Sequence, residues 1–198
     1  MEGDPLSALT IDEIICQIDS IHRELGRLSV NQLLGMHSAL NTSDIFELFP
    51  VPMQRSTISF LRNSSQVEES LQEKARIEQI MFGCMDLVIE KQIASLGDML
   101  RFYSERGRMI IGTEKIPALE VVPWLQEQSD FDKREEMQKE NSIFLKAVLN
   151  PIMQAMIETC NVVVREEFGF QNYALYSQAK KKVSFDDMSK EYKDYLIA

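Results

Sequence analysis

The stretch from Ser129 to Ser177 constrains the fold more than any other, because its apolar spacing, its start and its stop all specify a helix. Apolar residues recur at Phe144, Leu145, Val148, Leu149, Ile152, Met153, Met156, Ile157, Cys160, Val163 and Val164. Steps of three and four place them on one stripe, which needs another element to cover it. Ser129 with Asp132 reads as a capping box with a shortened acid, and Asp130 and Asp132 suit the positive pole of the first turn. Gly169 follows the last repeat and supplies a left-handed stop. Pro151 lacks a backbone donor and crowds the preceding turn, so the spacing predicts a kink there rather than an end.

The rest of the chain is consistent with a helical partner for that stripe. Only 8 Gly and 6 Pro occur in 198 residues, which leaves long stretches without helix breakers. Thr10 and Glu13 form a capping box ahead of Ile11, Ile14, Ile15, Ile18, Ile21 and Leu25, and Gly26 is placed to end that helix. A second helix is expected from Ser29 through Val30, Leu33, Leu34 and Met36. Asn41-Thr42-Ser43-Asp44 can cap a short third helix, Ile45 to Phe49. Phe49-Pro50-Val51-Pro52 is expected to be extended, since each proline restricts its predecessor. It marks a boundary between an N-terminal helical hairpin, residues 1–50, and a long-helix bundle, residues 51–198, packed as one continuous unit. Ser56 to Asn63 predicts one or two helical turns, and Ser65 to about Arg106 one long helix carrying Gly83 and Gly97.

Gly107 ends that pattern, and the periodicity then changes from helical to alternating. Met109-Ile110-Ile111 reads as a strand, Gly112-Thr113-Glu114 as a turn and Lys115-Ile116-Pro117 as the return strand. Ala118 to Gln128 predicts a short helix, divided by Pro123 or holding it in a first turn. Asn172 can cap Tyr173 to about Lys181. Ser184 with Asp187 opens a last helix with Phe185, Met188, Tyr192, Tyr195 and Leu196 on one face. No stop signal follows that face, as expected of a chain cut short, and the face predicts self-association. The fold class is mainly α: a bundle of long antiparallel helices with one small β-hairpin near residues 109–116.

Composition narrows the chemistry. Acidic residues outnumber basic ones 31 to 21, for a net charge of −10, which repels nucleic acid. The one basic run, Lys180-Lys181-Lys182, reads as a solvated helix end, or else as a contact for phosphate or acidic lipid. Cys16, Cys84 and Cys160 are odd in number and lack metal-ligand spacing. Each falls in an apolar helical pattern, which predicts core thiols in a reducing, cytoplasmic setting. The acidic start does not resemble a signal peptide, and no uninterrupted apolar run approaches the ~18 residues of a membrane span.

No catalytic, cofactor-binding or metal-ligating residue is assigned. His22 leads Arg23-Glu24-Leu25 and His37 leads Ser38-Ala39-Leu40, so neither begins His-Glu-x-x-His. His22 with Asp19 or Glu24 reads as the polar face of a helix. Glu135-Glu136 and Glu166-Glu167 are adjacent on helices and diverge. No glycine-rich phosphate loop occurs, because Gly107 and Gly112 lack the following Lys-Ser/Thr.

Four short segments carry a resemblance. They are Gly112-Thr113-Glu114-Lys115-Ile116-Pro117, Asp132-Lys133-Arg134, Leu149-Asn150-Pro151 and Glu167-Phe168-Gly169-Phe170-Gln171-Asn172-Tyr173. In this order the run from Gly112 to Tyr176 resembles the N-terminal helical region of oligoendopeptidase F and thimet oligopeptidase-like zinc metallopeptidases. The resemblance implies helices that wall one side of a deep peptide cleft. It places zinc in a catalytic domain that is missing here, so no cofactor is expected in this chain and no hydrolytic activity. Arg134 and Tyr173 would then be architectural, Arg134 paired to an acid on a neighbouring helix and Tyr173 seating the turn after Gly169. A truncated or split enzyme follows, with a separate catalytic domain, a second copy or peptides as partners, and with neither nucleic acid nor membrane. The alternative is a stand-alone helical protein-interaction module or adaptor.

Overall fold

A computed structural model describes residues 10–34 and 41–190. Its helices are α1 (Ile11–Leu33), α2 (Thr42–Leu48), α3 (Arg55–Val67), α4 (Leu71–Arg106), α5 (Val121–Glu127), α6 (Phe131–Phe144), α7 (Asn150–Phe168) and α8 (Tyr173–Lys181). The two strands are β1 (Arg108–Ile111) and β2 (Glu114–Pro117). Residues 185–190 are also helical, with the Ser184 hydroxyl accepting from the Asp187 amide at 3.2 Å. The fold is therefore mainly α, with a single two-stranded antiparallel sheet among the described residues.

The capping box at Thr10 forms as expected. The Glu13 amide donates to Thr10 Oγ1 at 3.2 Å, and the Thr10 amide donates to Glu13 Oε2 at 2.8 Å. Gly26 does not end α1, which runs through it and through Ser29 to Leu33. The cost of an internal glycine is about 1 kcal/mol. Leu25 and Leu28, on either side of Gly26, both pack on the cluster of Ile21, Ile45, Phe46, Leu87 and Ala94, and that burial outweighs it. One continuous helix thus replaces the two expected between Ile11 and Leu34. Gly35 and Met36 lie outside the described residues. At α2 the cap comes from across the molecule: Thr42 donates to Asp98 Oδ2 on α4 from its amide at 2.9 Å and its hydroxyl at 3.0 Å. A carboxylate at a helix N-terminus satisfies otherwise orphaned donors.

Pro50 and Pro52 do not hold an extended segment. Pro50 is α-helical (φ −72°, ψ −22°) and Val51–Met53 form a 3₁₀ turn. Proline's fixed φ suits the start of such a turn as well as a strand. Pro52 is fully buried, and Thr57 donates its hydroxyl to the Val51 carbonyl at 2.7 Å, so the segment is a packed corner. The single long helix expected from Ser65 is divided. α3 extends further than one or two turns, to Val67, and Ser70 starts α4 afresh by accepting from the Glu73 amide.

α4 has 36 residues, about 54 Å at 1.5 Å per residue, and the other helices are arranged along it. Its most extensive partners are α3 and α7. Ile77, Cys84, Met85 and Ile89 of α4 meet Ile14, Ile58, Leu61, Cys160, Val163, Val164 and Tyr176. Phe82 lies beside Tyr176, whereas Gly107 touches Phe144, so α4 runs antiparallel to the α6–α7 rod.

That rod is continuous from Phe131 to Phe168. Asp130, not Ser129, caps it, accepting from the amides of Asp132 at 3.0 Å and Lys133 at 3.3 Å. A carboxylate one residue nearer the helix reaches both amides. Ahead of Pro151 the backbone widens into a π-helical turn, Leu145–Leu149, with the Asn150 amide donating to the Leu145 carbonyl. Proline has no amide to return to residue 147, and the wider turn absorbs the crowding of its ring. Gly169 stops α7 at φ 79°, and the Phe170 amide donates to the Val164 carbonyl at 3.0 Å, closing a Schellman-type end.

The hairpin pairs Met109 with Ile116 and Ile111 with Glu114. Met109, Ile111 and Ile116 bury one face with Val121 and Met137, against Trp124, Leu125 and Phe144. The hairpin is held by α5 and α6, as two strands alone would be marginal. Pro123 lies in the first turn of α5 rather than dividing a longer helix.

Candidate functional site

Two features stand apart from generic core packing. The first is a polar latch inside the aromatic corner where α8 meets α4. Tyr176 is 1% exposed, and its hydroxyl donates to Asp86 Oδ1 at 2.7 Å, with the Phe82 carbonyl 3.3 Å from the same oxygen. The rings of Phe82, Phe168, Phe170 and Tyr173 surround the Tyr176 ring with centroids 5.4–6.2 Å away. Lys180, one turn further along α8, pairs with the other Asp86 oxygen. Burial pushes the Tyr176 phenol well above its ordinary range, and the Asp86 hydrogen bond and charge push it the same way. Crowding by protein atoms raises the Glu90 carboxyl, with the Asp86 charge adding to it and His22 and Lys180 opposing. A phenol held neutral and donating to a carboxylate is a structural bond, not a nucleophile or base.

The second feature is an uncovered side of the α6–α7 rod. Its apolar stripe is wider than the surface the bundle supplies. Ile152, Cys160, Val163 and Val164 are buried, but Leu145, Met153 and Ile157 are 38%, 49% and 59% exposed. Leu145, Leu149, Met153 and Ile157 recur every fourth residue, which keeps them on one side of the rod. The rod is also the one described helix long and apolar enough, by length and composition, to cross a membrane, although a soluble core helix meets the same test. Uninterrupted apolar runs, the basis of the sequence expectation, pass over this helix because Asn150, Gln154 and Glu158 break the runs while the average stays apolar.

The residues considered from sequence are placed as follows. His22 is exposed on α1, and His37 lies outside the described residues. Cys84 and Cys160 are buried, as expected, and burial pushes the Cys84 thiol up to about 12. Cys16 is exposed, contrary to expectation, because it falls between the inward-facing Ile14 and Ile21 on the outer side of α1. Arg134 is exposed and makes no ion pair among the described residues, so it is not the interhelical partner the resemblance implied. Tyr173 does sit at the turn after Gly169: its amide donates to Asn161 Oδ1 at 2.9 Å and its ring packs on Tyr176.

Glu166 and Glu167 diverge, with Glu167 bound to Arg55 Nε at 2.6 Å. Two of the three lysines in the basic run are committed to α4, Lys180 to Asp86 and Lys182 to Glu78 at 3.0 Å. Of the terminal apolar face, Phe185 and Met188 are 38% and 54% exposed, while Tyr192, Tyr195 and Leu196 lie outside the described residues.

Sequence reasoning missed Asp86 and Tyr176 as a pair. They are 90 positions apart, and nothing local marks either as the other's partner. No group of three or more His, Cys, Asp or Glu side chains among the described residues is arranged to hold a metal ion. No protein-family model, no curated protein and no solved structure matches the chain.

Proposed function

We propose that this chain is the non-catalytic helical portion of an oligoendopeptidase-like metallopeptidase, a wall of a peptide-binding cleft in truncated or split form, without hydrolytic activity of its own. The observation that carries this reading is the uncovered apolar side of the α6–α7 rod. Leu145, Met153 and Ile157 form an apolar strip that continues the stripe whose members Cys160, Val163 and Val164 are already in the core. Such a strip is what a further domain would cover. The expected partner is a separate catalytic domain supplying the zinc. Short peptides would lie between the two, with neither nucleic acid nor a membrane involved.

A stand-alone helical interaction module is the second reading. Ile14, Leu61, Cys84 and Val164 are each at 0% exposure, and this complete core around α4 favours independent folding.

Peptide hydrolysis separates the readings. The chain alone should cleave neither short nor long fluorogenic peptides. Added to an oligoendopeptidase-type zinc catalytic domain stripped of its own helices, it should suppress cleavage of long peptides and retain cleavage of short ones. Cleavage of both lengths unaffected by excess chain would overturn the first reading and favour the second.

A further inference from the structure

Along α4's N-terminal half, residues of α3, α4 and α8 line a groove that the proposed cleft wall does not use. It consists of two adjoining depressions of about 320 and 370 Å³ that share Glu78, Phe82 and Lys182. Five cations line it: Arg62 from α3, Lys74 from α4, and Lys180, Lys181 and Lys182 from the end of α8. Glu78 is the only acid in either lining. It is held by Lys182, which with Ser65 and Lys74 lowers its carboxyl against the opposing effect of burial.

The charge does not cancel locally. Lys180 and Lys182 are occupied by Asp86 and Glu78, but Arg62, Lys74 and Lys181 form no direct ion pair among the described residues. Arg62, Lys74 and Lys181 therefore add positive charge at one groove on a chain whose net charge is −10, with Glu78 acting on Lys74 and with Glu166 and Glu167 on the other side of Arg62. Lysines near a helix C-terminus answer the dipole of that helix. Arg62 and Lys74 belong to other helices and have no such reason to converge. Phe82 and Met81, both partly buried, give the groove an apolar floor, and Gln66 and Gln79 supply amides at its rim.

We propose that this groove docks a short acidic peptide segment of a partner protein. Carboxylates would meet Arg62, Lys74 and Lys181, with one apolar side chain over Phe82. Charge complementarity selects the occupant. The apolar floor and rim amides suit a peptide better than a phosphate backbone, and the acidic remainder of the surface repels a long polyanion.

The test uses the full chain and a fluorescein-labelled ten-residue peptide of Asp and Glu with one central Leu. Anisotropy should show saturable binding that weakens as salt rises. Arg62→Glu combined with Lys181→Glu alters two exposed cations that hold no structural ion pair, so circular dichroism should not change. That variant should bind at least about tenfold more weakly, the change that reversing two partly screened charge contacts implies. The control Lys133→Glu, on α6, should bind as wild type does. A peptide with Lys in place of the acids should not bind. No binding by the wild-type chain, equal binding by the double variant, or equally tight binding of a single-stranded oligonucleotide or of phosphatidylserine vesicles would each overturn the proposal.

Discussion

Replacing Tyr176 tests how α8 is fastened to the bundle. Tyr176→Phe keeps the ring among Phe82, Phe168, Phe170 and Tyr173 and removes only the hydroxyl. That hydroxyl donates to a carboxylate at 2.7 Å, a class of bond worth about 1.5–3 kcal/mol. Asp86 retains Lys180, so its charge is not stranded and the cost falls near the low end, about 1–2 kcal/mol. Tyr176→Ala also empties a site that is 1% exposed, at a cost of about 3–5 kcal/mol. Urea denaturation followed by circular dichroism should give midpoints in the order wild type, Phe, Ala, at nearly constant slope.

The pH dependence has a defined sign. The folded phenol is raised above its ordinary value of 10.0, so below that pH both states are protonated and the phenol adds no pH dependence. Above it the unfolded state ionises first, binds fewer protons, and stability falls. The stability gap between wild type and Tyr176→Phe should therefore narrow as pH rises above about 10. An alanine variant costing under about 1 kcal/mol, or a phenylalanine variant as costly as alanine, would refute the latch.

Three further outcomes are expected. Gly107→Ala would set a methyl 2.6 Å from both the Phe144 ring and the Tyr103 carbonyl, so it should cost about 1–3 kcal/mol in urea melts; a neutral result would mean the helix–hairpin junction is loose. At neutral pH a thiol reagent should label Cys16 quickly and Cys84 and Cys160 only after denaturation, since burial raises both inner thiols; three equal rates would contradict that packing. The exposed Phe185 and Met188 predict weak self-association, which Phe185→Asp with Met188→Asp should reduce in sedimentation across a concentration series; a wild-type chain monomeric throughout would remove that surface from consideration.

What the sequence disclosed was local chemistry. Thr10, Ser70, Asn172 and Gly169 act within a few residues of themselves, and each was readable or nearly so. Ser70 is masked in the sequence because Val67 and Leu71 keep helical spacing across residues 68–70. Asp130 was displaced by its neighbour Ser129 for a similar reason, as two good caps stood side by side. Gly26 looks like a helix end in sequence but is not one, because its local cost is smaller than the burial of Leu25 and Leu28 on either side. The sidedness of the rod was not legible. Met153 and Ile157 obey the same spacing as Ile152 and Cys160, and only the limited area of α4 decides which of them is covered. The basic run at Lys180 was visible as a run, but its ion pairs to Asp86 and Glu78, and the arrival of Arg62 and Lys74 beside it, depend on the folding of three helices together.

The most direct test of the cleft-wall reading is physical association through the rod. Sedimentation velocity would be run on an equimolar mixture of this chain and an oligoendopeptidase-type zinc catalytic domain lacking its own helical region. The wild-type chain should co-sediment as a single heterodimer. Met153→Asp with Ile157→Asp should sediment apart from the catalytic domain while keeping its helix content, because both side chains are about half exposed and carry little of the core. Separate sedimentation of the wild-type chain, or undiminished co-sedimentation of the double variant, would contradict the account.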